Sequence, residues 1–279
     1  MDEWKSVEGE HQATVARNDA VPADLTGLLR LAERAVLAGG HALTSMRRAW
    51  STVASQEGLD IKIEADVRAQ ALIVDALRSA SDWPILGEET GWIGGRPADD
   101  APYWVVDPLD GTFNYHRGIP FCCSAVALCQ GMRPLLGTIH DFERGELFSG
   151  ATGLGMWLNH QPAAVEARPS CQGALATGFP TRSDFSTAGI GRTVEKLRSW
   201  KKIRMLGSAA LSLSYVATGR LDGYAEDGIQ WWDVAAGLAL VQAAGGVAHW
   251  VGDDPEQPLN VTAQGSPQQD PPRIGPDAP

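Results

Sequence analysis

Between Trp104 and Thr112 the chain reads Trp-Val-Val-Asp-Pro-Leu-Asp-Gly-Thr. A short apolar run of this kind predicts a buried strand. This one runs into two carboxylates three positions apart, so hard oxygen donors are presented at a fixed point of a sheet. The Gly-Thr that follows predicts the start of a helix, where backbone N–H groups are available to an anion. The fold must therefore bury a sheet on which Asp107 and Asp110 sit together. These are the parts of a site for a divalent metal and a phosphate.

The length of 279 residues and the 44% hydrophobic composition allow one large domain or two small ones, either with a substantial core. The formal net charge of −11 repels nucleic acid and anionic membrane, so neither is expected as a partner. A small anion stays compatible, because a bound metal reverses the local sign. The cysteines Cys122, Cys123, Cys129 and Cys171 show no CxxC spacing and read as free thiols of a reducing compartment, which points to the cytoplasm. Residues 1–20 lack a secretory apolar region, and no apolar run approaches the roughly 20 residues of a membrane span.

Along the chain, residues 1–22 read as a loose polar arm. Residues 24–50 carry apolar side chains at helical spacing, with a break or bend expected near Gly39-Gly40. Residues 51–64 read as a mobile polar connector, and 66–77 as a second helix. A strand over 83–86 runs into Gly87-Glu88-Glu89, and a strand over 103–106 delivers the acidic motif. Antiparallel strands follow at 123–128, 135–140, 145–149 and 155–158. Helices at 187–200, 208–218 and 232–244 alternate with strands at 203–206, 221–225 and 247–251. Residues 263–279, dense in Pro, Gln and Asp, read as a disordered tail. The pattern predicts an α+β fold in two layered halves with mixed sheets, about 23–160 and 161–262.

Acids recur where these elements begin and end: Asp66, Glu88 with Glu89, Asp107 with Asp110, and Asp233 after Trp231-Trp232. Taken singly, Asp66 and Asp233 read as helix caps and Glu88-Glu89 as a solvated turn. The Asp107–Asp110 pair is different, because a cap has no use for both acids. Carboxylates held close repel one another unless a cation lies between them. Magnesium, which takes oxygen ligands and keeps waters, suits such a set.

In this order, Asp66, Gly87-Glu88-Glu89, Asp107-Pro108-Leu109-Asp110-Gly111-Thr112 and Trp232-Asp233-Val234-Ala235-Ala236 resemble the inositol monophosphatase family of Mg2+-dependent, lithium-sensitive phosphatases. Gly207-Ser208-Ala209-Ala210, Asp222-Gly223-Tyr224 and Glu226 extend the resemblance, which covers about residues 25–262 of a catalytic unit spanning 23–262. It implies a layered αβαβα sugar-phosphatase-like architecture, two or three Mg2+ ions per site and a homodimer. By the same resemblance, Glu88, Asp107 and the Leu109 carbonyl hold one ion, and Asp107, Asp110 and Asp233 hold a second. Thr112 paired with Asp66 orients and helps deprotonate the attacking water, with Glu88 beside them. The N–H groups of Gly111 and Thr112 bind phosphate. Asp110, Ser208, Ala209, Glu226 and Asp233 lie near the rest of the substrate.

The implied substrate is a small phosphorylated polyol or sugar, such as an inositol phosphate. Fructose-1,6-bisphosphate, histidinol phosphate and 3′-phosphoadenosine 5′-phosphate stay open as alternatives, as does a non-catalytic binding protein on the same fold. Ile63 stands where the family often has threonine, Phe113 where a second Thr or Ser is common, and the tail lacks a closing apolar helix. Among other residues, His140 reads as a surface or turn histidine, and His249 as a further histidine with no assigned role. His116 and Arg117 are close enough in sequence to approach the site. Arg182 reads either as a steering charge for an anionic substrate or as a solvated one. Trp231-Trp232 is expected to pack beneath Asp233.

Overall fold

The first described element is a single long helix, α1 (Leu25–Trp50), unbroken through Gly39-Gly40. The computed structural model describes residues 22, 24–50, 53–57, 60–98, 100–163, 172–179 and 185–265. Most of the N-terminal arm and of the tail, together with Cys171 and Arg182, lie outside the described residues. The expected break in α1 is corrected by packing. A Cβ on Gly39 would lie 2.8 Å from Ile73, and one on Gly40 2.2 Å from His140 Nδ1. The two glycines let the helix approach its neighbours closely. The expected polar connector is also corrected. It forms an antiparallel hairpin, β1 (Val53–Glu57) with β2 (Asp60–Ile63), too short and polar for alternation to mark. It feeds α2 (Glu64–Arg78), which begins two residues before the expected start and so places Asp66 in its first turn.

The next strands are β3 (Ile85–Gly87), β4 (Gly91–Ile93) and β5 (Pro102–Asp110). After the short helix α3 (Thr112–Arg117) come β6 (Cys123–Gln130), β7 (Arg133–Asp141), β8 (Glu146–Ala151), β9 (Gly155–Leu158) and β10 (Gln161–Ala163). They form one eight-stranded sheet, ordered β10-β9-β8-β7-β6-β5-β3-β4. Only the β3–β5 pair is parallel. Strand β5 is buried on both faces, and its side chains divide by parity as a period-2 strand requires. Trp104 and Val106 join the core under α1 and α2. Tyr103 and Val105 join a second core on the opposite face.

The rest of the chain forms β11 (Ala174–Ala176), α4 (Thr187–Leu197), β12 (Lys202–Arg204), α5 (Ala209–Ala217), β13 (Gly223–Ile229), α6 (Trp231–Ala243), β14 (Val247–Val251) and β15 (Leu259–Gln264), of which β11, α5, β13, α6, β14 and β15 supply that second core. Strands β12-β11-β13-β15-β14 form a mixed five-stranded sheet. Helices α5 and α6 lie between the two sheets and are apolar nearly all round, as a helix covered on both sides must be. Trp200, Leu197 and Ile203 close the outer side of the small sheet over Leu175 and Ala225. The layers run helix, sheet, helix, sheet, helix. Strand β15, whose last two residues the sequence reading placed in the disordered tail and whose first four it left unassigned, completes the small sheet beside β13. His140 is a further correction. It is buried in β7 with Nδ1 unpartnered, and burial, followed by His41, pulls its pKa down to about 4. Among the described residues, no helix is long and apolar enough to cross a membrane.

Candidate metal centre

The acidic motif occupies the last residues of β5 rather than the loop beyond it. Asp107 pairs with Ala125 and Asp110 with Cys123, and the register shifts between them. Pro108, which has no N–H to donate, falls in that irregular stretch where no ladder bond is required. The kink is held from both sides: Leu109 N donates to Asp107 Oδ1 at 3.0 Å, and Ser124 Oγ donates to the Pro108 carbonyl at 2.8 Å. Gly111 follows with φ +89, a left-handed conformation that favours glycine, and turns the chain into α3.

Glu88 follows β3, and its N–H donates to the Val106 carbonyl of β5 at 3.1 Å, which ties it beside the motif. Gln70 Oε1, from α2, accepts from Glu89 N at 3.1 Å, and Gln70 Nε2 donates to Thr90 Oγ1 at 2.8 Å. Asp66, also from α2, is buried, and its Oδ1 lies 3.2 Å from Thr112 Oγ1. The same hydroxyl lies 3.1 Å from the Leu109 carbonyl, so its one proton serves one acceptor at a time. Asp233 sits in the first turn of α6, where its Oδ2 accepts from Gln230 N at 3.2 Å. Asp110 Oδ2 accepts from Ser208 Oγ at 2.6 Å and Ala210 N at 2.7 Å, joining β5 to the start of α5. Glu226, on β13, accepts from the Tyr224 hydroxyl at 2.9 Å.

Each of the central acids resists ionisation. Burial raises the pKa of Asp107 well above the carboxylate range, and Glu88, Asp110 and Asp233 push it the same way. Burial, then Glu88 and Asp110, raise Asp233. Asp110 is pushed up to about 6 by burial, against the pull of Ser208 and Ala210. Glu226 rises to about 7, again chiefly through burial.

Four carboxylates from three elements thus face one another. Asp107 Oδ2 is buried with no hydrogen-bond partner. Such an oxygen is destabilising unless a donor or cation meets it. Among the described residues the acids do not close into a ready ligand set of three. Asp110 and Asp233 are each drawn aside by hydrogen bonds of their own. The donor chemistry still fits a hard divalent cation, because every candidate ligand atom is oxygen. Cys123 Sγ lies 3.9 Å from Asp110 Oδ2, but burial keeps the thiol protonated and unsuited to coordination.

The sequence profile described as the inositol monophosphatase family matches residues 24–269. The chain belongs to the inositol monophosphatase family. It is 37% identical over 233 residues to an inositol-1-monophosphatase of Synechocystis, covering 81% of this chain and 79% of that protein. It is 42% identical over 197 residues to a protein of Xylella fastidiosa named Nus factor SuhB, covering 70% of each. Among solved structures, an inositol monophosphatase from Anabaena superposes with TM-score 0.73 at 32% identity, covering 86% of this chain and 91% of that one.

Relative to this family's motif, the structure gathers Asp66, Glu88, Asp107, Leu109, Asp110, Gly111, Thr112, Ser208 and Asp233 around the end of β5. Ala209 and Glu226 lie on the elements next to them. His249 lies on the edge strand β14 of the small sheet. Trp231 is fully buried against Trp250, so it packs and does not reach a ligand. Phe113 is exposed beside Arg117. One organising residue escaped the sequence reading. Asn114 Nδ2 donates at 2.8 Å to the carbonyls of both Phe121 and Leu206, and so pins the loop before α5 to α3. Its place two residues after Thr112 was the only signal.

Proposed function

We propose that the chain is a Mg2+-dependent phosphatase that hydrolyses a small phosphate monoester, an inositol phosphate or a related cyclitol or sugar phosphate. The observation that carries this reading is the unpartnered Asp107 Oδ2 inside a group of acids that repel one another. Glu88, Asp107, the Leu109 carbonyl, Asp110 and Asp233 would hold the ions. Bound Mg2+ supplies Lewis acidity to the phosphate and lowers the pKa of water, which offsets the repulsion between an electron-rich nucleophile and ester.

The protein's own residues supply position and proton handling. Thr112 lies between the Asp66 carboxylate and the Leu109 carbonyl, so a proton taken up by Asp66 leaves the hydroxyl free to turn toward Leu109. The first N–H groups of α3, at Gly111 and Thr112, lack helical partners by position and suit a phosphate. Ser208 is committed to Asp110, and this bond fixes the side of the site nearest Ala209. Glu226, when ionised, accepts hydrogen bonds from substrate hydroxyls. Such fixed placement converts binding energy into rate.

Phosphate release from a panel of inositol 1-phosphate and sugar phosphates, with and without Mg2+, tests the reading. Turnover should need Mg2+ and fall about 1,000-fold or more in Asp107→Asn, which keeps the shape but loses the charge. No turnover on any member in the presence of Mg2+ would overturn it. Because relatives carry the name Nus factor SuhB, a non-catalytic binding protein on the same fold is the second reading, and that negative outcome would favour it.

A further inference from the structure

A cleft of about 380 Å³ lies between α1 and the β9–β10 hairpin. Trp157, on β9, is four strands from β5 in the sheet order, about 19 Å at the usual strand spacing. The cleft shares no residue with the carboxylate group. Leu29 and Trp157, both buried, form its floor. Arg30 and Arg34 stand one helical turn apart on its wall, with Glu33 beside them. Among the described residues, neither arginine has a carboxylate partner and Glu33 has no cation.

Arg78, Arg117, Arg133 and Arg204 likewise lack an acidic partner among the described residues, but Arg30 and Arg34 stand together on the wall of one cleft. Arg68, Arg96, Arg144, Arg198 and Arg220 all pair with acids. Two like charges at this helical spacing repel, at a cost of a few tenths of a kcal/mol. The opposite wall carries a second uncompensated feature. The β9–β10 turn has two central residues, Asn159 and His160, at φ 49 and φ 60. Asn159 suits that conformation, and its Oδ1 accepts from Leu147 N at 2.8 Å. His160 does not; glycine is the favoured residue there, yet an imidazole is held over the cleft.

We propose that this cleft is a second small-molecule site, which takes an organic anion, phosphate or carboxylate, that also carries a hydrogen-bond donor such as an ammonium or hydroxyl group. The paired arginines meet the anion, and guanidinium groups suit the planar, two-oxygen faces of both chemistries. Glu33 meets the donor, and it disfavours a bare polyanion. The volume lies in the range of small-ligand pockets.

Isothermal titration of the full chain in EDTA tests this, with O-phosphoserine as the probe carrying anion and ammonium together and inorganic phosphate as the bare anion. Phosphoserine should bind saturably to wild type and to Asp107→Asn alike. It should bind at least about tenfold more weakly to the Arg30→Ala/Arg34→Ala double variant, whose phosphatase activity and melting temperature report its intact fold. Glu33→Gln should reduce the preference for phosphoserine over phosphate. His160→Gly should weaken phosphoserine while raising the melting temperature, because it relieves the turn. Equal affinity in wild type and the double variant, or no saturable binding up to about 10 mM, would overturn the proposal. Binding lost in Asp107→Asn would overturn it too, by placing the probe at the acids, and it leaves the phosphatase reading standing.

Discussion

Glu226 lies on β13, outside the group of acids at the end of β5, and accepts from the Tyr224 hydroxyl at 2.9 Å. Burial holds its pKa near 7. It therefore gains charge across the neutral range, and only the charged form is acceptor at both oxygens. Glu226→Gln keeps the shape and removes that switch. For a cyclitol phosphate we expect KM to rise about tenfold with kcat within about threefold of wild type, the mark of lost ground-state binding. Wild-type KM should improve as pH rises through about 7, and the variant should lose that trend. Initial rates across pH 6 to 8, about the range of interest, check both; a large fall in kcat at constant KM would instead place Glu226 in the chemistry. At this scale the sequence was highly legible where residue type carries the chemistry. Asp107, Asp110, Thr112 and Asp233 announce themselves by motif. Asn114 did not, because what it holds is set by a contact with Leu206, distant in sequence.

Elements explain why those residues stay in register. Helix α6 carries Asp233 and crosses the face of β7 at Gly137. A Cβ there would lie 2.2 Å from the Ala236 carbonyl, a backbone atom that cannot rotate away. Gly137→Ala must push α6 off the sheet, and Asp233 moves with it. We expect a loss of about 2 kcal/mol in stability, as for an overpacked core, and weaker Mg2+ binding together. Urea unfolding and a Mg2+ titration of the rate check the two effects; loss of stability with unchanged Mg2+ dependence would show that α6 and Asp233 are not mechanically linked. Element boundaries were the less legible part of the fold. Gly39-Gly40 suggested a break by propensity, but close packing against Ile73 and His140 uses the same residues to keep α1 whole. Strand β15 alternates buried and exposed positions, yet its Asn, Thr and Gln gave too weak an apolar signal beside a polar tail.

On the scale of the molecule, the acids join layers that otherwise meet mainly through apolar packing, with ion pairs such as Arg220–Glu146 at the edges. Glu88 and Asp107 belong to the large sheet, Asp233 to the helices between the sheets, and Asp66 to the outer helix layer. Without metal, their repulsion works against that junction. Asp110 titrates near 6 in the folded chain and at 3.8 as a free side chain. A folded pKa raised in this way contributes stability at low pH that is lost as pH rises through the folded value. Mg2+ replaces the protons, so its binding should release them and strengthen with pH. The melting temperature in saturating Mg2+ minus that in EDTA should thus be small near pH 5 and grow toward pH 8. The full gain should be about 5 °C when Mg2+ stands at about 100 times its Kd, which corresponds to about 2.7 kcal/mol in a chain of this size. Taking the difference cancels the contribution of His140, whose buried neutral ring makes stability fall in the opposite direction, as pH drops below about 6.5. Scanning calorimetry with and without Mg2+ at three pH values decides the matter, and a gain independent of pH would mean that the acids at the end of β5 are not where the ion binds.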